Sequence, residues 1–495
     1  MRIAVIGAGV SGIAAAHTLQ KCGHTPLVFE KSGEIGGVWA STYPTVRLQN
    51  TAAHYHISDF PWPFVADEHP TAGQVMRYLR AAVDHLQIDI RLRHEILDLE
   101  QRTDGWIVRY RGPTGLTEER FDFVIISSGQ YSGAPRRPEF TGTDDFRGEL
   151  ITADEVHNLD ATFSGKRVVV VGFGKTAVDL ATLAMTRAKE THHVFRTPRW
   201  LVPERIAGIH YTYPFFSRYG TSMIPSWTHP SRAERILHQR LPFAVRSFWG
   251  SLSALFRAQI RIKGLFKGPQ ARARLRTVIP PHNLLKDMRS ATAQEPRGYY
   301  RAVADGMIQP AHTEIQGLSA QGVLLADGRE IAADLVVLSL GSLSPTFPFL
   351  ADRYRQLLES EPDGPQLYRH LLHPRIPHLA FAGFNHGFMH IAAVEVGMLW
   401  LSAYLRGDFT LPKMHSMEAE MDRIRAWKRA HISFEPGRSC AVNTRFMQYL
   451  DTLLLDLGLS PYRKLPSLPA ELFRRYGARD YAGLVEEYER QRSAT

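Results

Sequence analysis

Two glycine-rich turns, each set between a short apolar strand and a helix-forming run, constrain this chain more than any other feature. Arg2-Ile-Ala-Val-Ile6 leads straight into Gly7-Ala-Gly9-Val-Ser-Gly12, and a run rich in helix formers follows to Gln20. The pattern is G-x-G-x-x-G, placed where a parallel strand passes into a helix. Gly7 permits the tight turn, Gly9 lets the backbone approach a pyrophosphate, and Gly12 lets helix and strand pack closely. The N–H groups of Val10 and Ser11 open the helix toward phosphate. A second strand, Pro26-Leu-Val-Phe29, ends in Glu30, an acid placed to accept hydrogen bonds from ribose hydroxyls.

The second copy is Lys166-Arg-Val-Val-Val-Val171 followed by Gly172-Phe-Gly174-Lys175-Thr176-Ala177, a G-x-G-x-x-A turn. Its next strand, His192-His-Val-Phe195, ends in Arg196 rather than an acid. A carboxylate at Glu30 repels a 2′-phosphate, so the first turn suits FAD or NAD. A guanidinium at Arg196 grips a 2′-phosphate, so the second suits NADPH. The competing reading of Arg196 is a solvated charge at a strand end.

At 495 residues the chain is long enough for roughly three domains, or two with insertions. Hydrophobic residues form 44% and charged residues 22%, which excludes a disordered or fibrous chain. No run of about 18 apolar residues occurs, so no transmembrane helix is expected, and a strand in place of an apolar leader argues against a signal peptide. Two distant cysteines, Cys22 and Cys440, exclude a disulfide framework, a Cys₄ zinc site and a thiol–disulfide reductase. His192 and His193 lack the spacing of a helical zinc pair, and no metal is expected. The net charge is +10, the Arg and Lys residues are spread along the chain rather than blocked into one arm, and no nucleic-acid partner is expected. These features predict a cytoplasmic α/β protein with two Rossmann-like, three-layer ββα domains.

Further strand–glycine signals occur at Phe121–Ile126 before Ser128 and Gly129, and at Leu335–Leu340 before Gly341. They predict a discontinuous FAD domain at 1–150 and 330–460, with an NADPH domain at 151–329 inserted. A helical insert is expected at about 206–285. Its segment Leu241–Phe256, with a basic flank at Arg257, Arg261, Lys263 and Lys267, reads three ways: an interfacial membrane helix, a wall of a substrate cavity, or an ordinary packed insert. The tail, 461–495, reads as polar helix without visible chemistry.

Residues 1 to about 460 resemble the class B flavoprotein monooxygenases, specifically the flavin-containing monooxygenases of a plant and microbial branch. Glu30-Lys31 through Gly37-Val38-Trp39 resembles the family's acid-plus-GGxW segment, and Ser58-Asp-Phe-Pro-Trp-Pro63 its SDFPxP. Arg47-Leu-Gln-Asn-Thr51 falls where the family lines the flavin, and Phe384–Trp400 where a helix starts beside it. The resemblance implies an FAD- and NADPH-dependent enzyme of the N,N-dimethylaniline monooxygenase type. Its reduced flavin would hold O₂ as a C4a-hydroperoxide and pass one oxygen atom to a small amine or sulfide, with carbonyls a poorer target. It also implies amide donors near the oxygen, for which Gln49 and Asn50 both qualify, and cofactor contacts from Ser128, Gly129, Gly341 and Gly383.

The chain departs from the family fingerprint F-x-G-x-x-x-H-x-x-x-(Y/F/W): Thr152 stands for the His and Val156 for the aromatic residue. The His normally couples the domains, so the departure keeps a second reading open, an NADPH oxidase or flavin reductase releasing H₂O₂. A third reading is a non-catalytic, membrane-associated nucleotide-binding protein. Homo-oligomerisation and weak peripheral membrane association stay open, as does the substrate.

Overall fold

The computed structural model describes residues 1–494 apart from Pro44, Ala291, Glu435 and Pro436; Thr495, the end of the expected tail, lies outside them. Two five-stranded parallel sheets organise the chain. The first runs Leu379–Phe381, Phe123–Ile126, Arg2–Ile6, Thr25–Glu30, Ile90–Leu92. The second runs Gln309–His312, Glu190–Phe195, Arg167–Val171, Leu335–Leu338, Glu149–Thr152. Ile3, Ala4, Val5, Val168, Val169 and Val170 are fully buried, as apolar runs covered on both faces of a parallel sheet must be. Each domain adds an antiparallel three-stranded meander, Glu95–Phe121 in the first and Ile315–Ala332 in the second. The expected three-layer arrangement is present twice.

One boundary needs correction. The strand Leu335–Leu338, expected to start the return to the first domain at 330, lies in the second sheet between Arg167–Val171 and Glu149–Thr152. An apolar run of four has no feature naming the sheet it enters, because either core buries it equally well. The crossing itself is a short two-stranded strap, in which Leu343 N–H donates to Ala134 O (2.8 Å) and Arg136 N–H to Gly341 O (2.9 Å). Gly341 is therefore part of the interdomain strap.

The returning chain forms helix His390–Leu405, buried continuously from Ile391 to Ala403 and packed on helix Val10–Lys21. A helix apolar all round belongs in a core. Between Thr212 and Met288 the chain runs through six helices. Its long helix, Pro242–Ile262, buries Val245, Trp249, Ser253, Phe256 and Ile260, one stripe at helical spacing. Among the described residues no helix is long and apolar enough to cross a membrane.

The tail departs from its expected character. Tyr476 and Tyr481 are buried, and Tyr476 N–H donates to Phe216 O at 2.8 Å. Arg218 of the insert is buried against Asp451 (2.5 Å) and Glu471, while Arg475 donates to Thr212 Oγ1 at 3.1 Å. Glu471, which sequence polarity alone does not distinguish from the tail's surface charges, is a buried ion-pair partner.

Candidate functional site

The first glycine turn is built as its spacing requires. Gly7 adopts φ +109°, and a Cβ there would lie 2.6 Å from Ser127 O. A Cβ on Gly12 would lie 1.9 Å from Gly7 O, so helix and strand touch backbone to backbone. Gly9 opens helix Val10–Lys21 with no side chain over its end. Gly37 folds against it, leaving 3.3 Å between a Gly37 Cβ and Gly9 Cα, and Val38 and Trp39 follow on a one-turn helix. Trp39 donates its indole N–H to Tyr55 Oη at 2.8 Å.

Glu30 sits over this turn, accepting Ala8 N–H through one carboxylate oxygen and Ser32 N–H through the other, both at 2.9 Å. Each oxygen keeps a lone pair for a ribose hydroxyl. The hydroxyls of Ser127 and Ser128 are buried without a hydrogen-bond partner among the described residues. Buried unpaired hydroxyls beside a turn with open helix N–H groups are what a polar ligand in this cradle would satisfy. The residues present therefore fit a dinucleotide. Lys31 is exposed beside Glu30, and Gly129 continues from Ser128 at φ +91°. Gly383 (φ +83°) abuts Ser11: a Cβ there would lie 2.3 Å from Ser11 Oγ, which hydrogen-bonds His390 Nε2 at 2.7 Å. Burial lowers His390 to about 4, so this ring is neutral at the head of its helix.

The second turn repeats the construction. Gly172 has φ +119°, with Ser339 O 2.3 Å from a Cβ placed there. Gly174 opens helix Lys175–Ala184, and nothing lies within 4 Å of its Cβ position. Ala177 is buried beneath the turn and Thr176 half-exposed. His193, fully buried, hydrogen-bonds Gly172 O (2.6 Å) through Nε2 and Tyr299 Oη (2.8 Å) through Nδ1. Burial pulls it to about 4, so a neutral imidazole braces the turn. Arg196 is exposed at the strand end, and its guanidinium makes no hydrogen bond or ion pair with the described residues. Lys175 is different: its ammonium is folded onto Asp179.

That Asp179 also accepts a 2.7 Å hydrogen bond from Tyr43 Oη, which reaches across from the first domain. Both are buried. Burial, then the Asp179 charge, pushes the Tyr43 phenol well above its ordinary value, so it stays a donor. Thr152, at the fingerprint position, gives its N–H (2.7 Å) and hydroxyl (2.8 Å) to Glu155 within its own domain, and Val156 is buried. Tyr43–Asp179 is an interdomain bond that pattern reading missed, since a lone Tyr carries no motif.

Gln49 and Asn50, adjacent in sequence, part in space. Asn50 donates its amide N–H to Phe388 O. Gln49 lines an apolar cavity with Val202, Tyr211, Phe215, Phe216, Met288, Thr292, Gln294 and Phe388. Its amide oxygen accepts Gln294 N–H at 2.9 Å, and its backbone oxygen accepts Tyr211 Oη at 2.6 Å. The amide nitrogen of Gln49 has no partner among the described residues. First domain, insert and returning chain all contribute walls. The long insert helix backs one wall, because Trp249 stacks parallel to Phe215.

The Ser58–Pro63 segment is a structural lock. Ser58 donates N–H (3.0 Å) and Oγ–H (2.8 Å) to Glu395, while Asp59 pairs with His17 (2.9 Å) and Lys21 (2.7 Å) of the first helix. Burial raises the Glu395 carboxyl to about 8, against the opposing effect of the Ser58 donors. A carboxyl whose folded value exceeds its unfolded value stabilises the fold at low pH, and that contribution is lost as pH rises through the folded value. Thermal unfolding should therefore occur at progressively lower temperature between about pH 5 and 8, and Glu395→Gln should flatten that decline by several degrees. A variant with the same pH slope as the parent removes Glu395 as its source.

Comparisons with known proteins follow the same lines. Residues 4–207 match the pyridine nucleotide-disulphide oxidoreductase family, though both cysteines here are free and buried. The chain is 30% identical to a probable flavin-containing monooxygenase 1 of Arabidopsis thaliana, over 99% of this chain and 97% of that protein. The chain belongs to the flavin-containing monooxygenases. The S-allyl-L-cysteine S-oxygenase of Allium sativum shares its fold at 18% identity (TM-score 0.62, 100% of this chain and 99% of that one). So does a cyclohexanone monooxygenase at 19% (TM-score 0.68, 99% and 98%). The chain is thus an FAD- and NADPH-dependent monooxygenase, a flavoprotein oxidoreductase of the two-dinucleotide fold.

Proposed function

We propose that this flavin-containing monooxygenase oxygenates the nitrogen or sulfur of a small, uncharged organic molecule held against Gln49. Bound FAD supplies the activation of O₂ and NADPH the two electrons, one oxygen atom passing to the substrate lone pair and the other leaving as water. The residues of this chain bind, orient and exclude water. Gly7, Gly9, Gly12, Glu30 and Gly37 cradle FAD, with Ser128 and Gly129 alongside. Gly172, Gly174 and Arg196 hold NADPH. Lys175 is available to a phosphate only by leaving Asp179.

The observation that carries the reading is the Gln49 amide at an apolar cavity walled by the first domain, the insert and the returning chain. No side chain ionisable near neutral pH is among the described residues that line it, so a charged substrate would be desolvated there without compensation. Of the two candidate amides, Gln49 is favoured as the donor to the reacting oxygen: it lines the cavity, whereas Asn50 does not and is oriented by the bond from one of its two amide N–H groups to Phe388 O. Product yield and H₂O₂ release per NADPH, measured with neutral sulfides and arylamines, test this. Gln49→Leu should lower oxygenation about tenfold to a hundredfold and raise H₂O₂ release, with the KM for NADPH unchanged. Unchanged coupling excludes Gln49. The second reading, an oxidase, draws on Thr152, whose hydroxyl is committed to Glu155; stoichiometric H₂O₂ with every substrate would favour it.

A further inference from the structure

The charge of this chain is not evenly placed. Residues 206–285 hold twelve Arg and Lys against a single acid, Glu234, a formal +11 in a protein whose total is +10. The remainder is close to neutral. Glu234 is itself buried beside Arg445 and Gln448, so it does not offset the surface. Lys263 and Lys267 pair with Glu295 and Asp305. Arg240, Arg246, Arg261, Arg272 and Arg276 are exposed and have no ion pair among the described residues.

The same insert exposes large apolar side chains. Phe266 is 94% exposed, Ile262 64%, Phe243 62% and Leu265 52%. Their placement follows from helix Pro242–Ile262. Its inward stripe is fixed by Trp249 Nε1–H to Met223 O (2.7 Å) and by Leu284 N–H to Ser253 Oγ (3.0 Å). The opposite stripe, at spacings of three and four, is Phe243, Arg246, Ser247, Ser251, Ala254, Ala258, Arg261 and Ile262, all but its small members apolar or cationic. Leu265 and Phe266 extend it at the turn into helix Gly268–Val278. From Phe243 to Ile262 the stripe is about 28 Å long. Apolar ends with arginines between them suit a surface that is anionic at headgroup depth and apolar below it.

We infer that this outer face of the insert docks on an anionic phospholipid surface, with Phe243 at one end and Ile262, Leu265 and Phe266 at the other entering the headgroup layer. Nucleic acid would meet the arginines but leave the exposed phenyl groups in water, so the apolar ends favour lipid. Phe215, stacked on the inward stripe, puts the substrate cavity behind the same helix.

The FAD-loaded full-length enzyme should co-sediment with vesicles of phosphatidylcholine containing about one third phosphatidylglycerol. Binding should be at least about tenfold weaker with phosphatidylcholine alone, or in about 0.5 M salt. Leu265→Ser with Phe266→Ser should lower binding to anionic vesicles about tenfold, with FAD content and NADPH oxidation unaltered. Equal sedimentation with neutral and anionic vesicles, or none with either, overturns the inference. So does binding to duplex DNA in preference to vesicles, or vesicle binding that the double serine variant leaves unchanged. Because oxygen transfer is assayed separately, failure here leaves the proposed chemistry standing.

Discussion

Arg196→Ala is expected to raise the KM for NADPH about tenfold to thirtyfold while leaving the KM for NADH near its parental value. Arg196 stands at the end of Glu190–Phe195, the strand that follows the second glycine turn, exposed and with its guanidinium unengaged among the described residues. A charge-assisted, two-pronged contact to a phosphate dianion contributes about 1.5–3 kcal/mol, and exposure to solvent brings that to the lower end. NADH lacks the 2′-phosphate and so loses nothing. The effect should shrink with added salt, since the charge is not buried. Steady-state kinetics with both nucleotides decide it: a parallel change in both KM values would make Arg196 a solvated strand-end charge after all.

Gly12→Ala should be more severe, yielding protein without bound flavin and with a lowered melting temperature. The added methyl would lie 1.9 Å from the carbonyl oxygen of Gly7. That oxygen belongs to the turn backbone, so relief requires moving the helix off the strand and with it the N–H groups that face the phosphates. Gly174→Ala provides the contrast. Its Cβ meets nothing within 4 Å and its φ of −77° suits any residue, so the fold and FAD content should be retained. The methyl instead stands where a pyrophosphate must approach, and the KM for NADPH should rise. Flavin absorbance of the purified variants and their melting curves give the readout. A yellow, normally stable Gly12→Ala protein would show that helix and strand are looser than their contact implies.

Much of this was legible before folding, and for identifiable reasons. Glycine turns announce themselves because only glycine tolerates the backbone at Gly7 and Gly172 and the contact at Gly12. Glu30 and Arg196 could be nominated because a strand of known length fixes where its end lies. The insert could be seen as helical, and the resemblance supplied Gln49 and Asn50 as a pair. The choice of sheet for Leu335–Leu338 was not legible, nor was the buried character of the tail, where Glu471 is an ion-pair partner rather than a surface charge. Tyr43 and Glu395 were equally invisible: each acts through a partner more than 100 residues away, Asp179 and Ser58.

The sequence by itself determined two glycine turns at strand–helix junctions and the residues of opposite charge at the following strand ends, because these depend on residues within one strand–turn–helix unit whose spacing sets their geometry. Only the tertiary structure decided which of two neighbouring amides meets the cavity, which residue bridges the domains and which face of the insert carries its charge into solvent. Those outcomes depend on what packs against what, and burial is a property of the folded chain that no local pattern encodes.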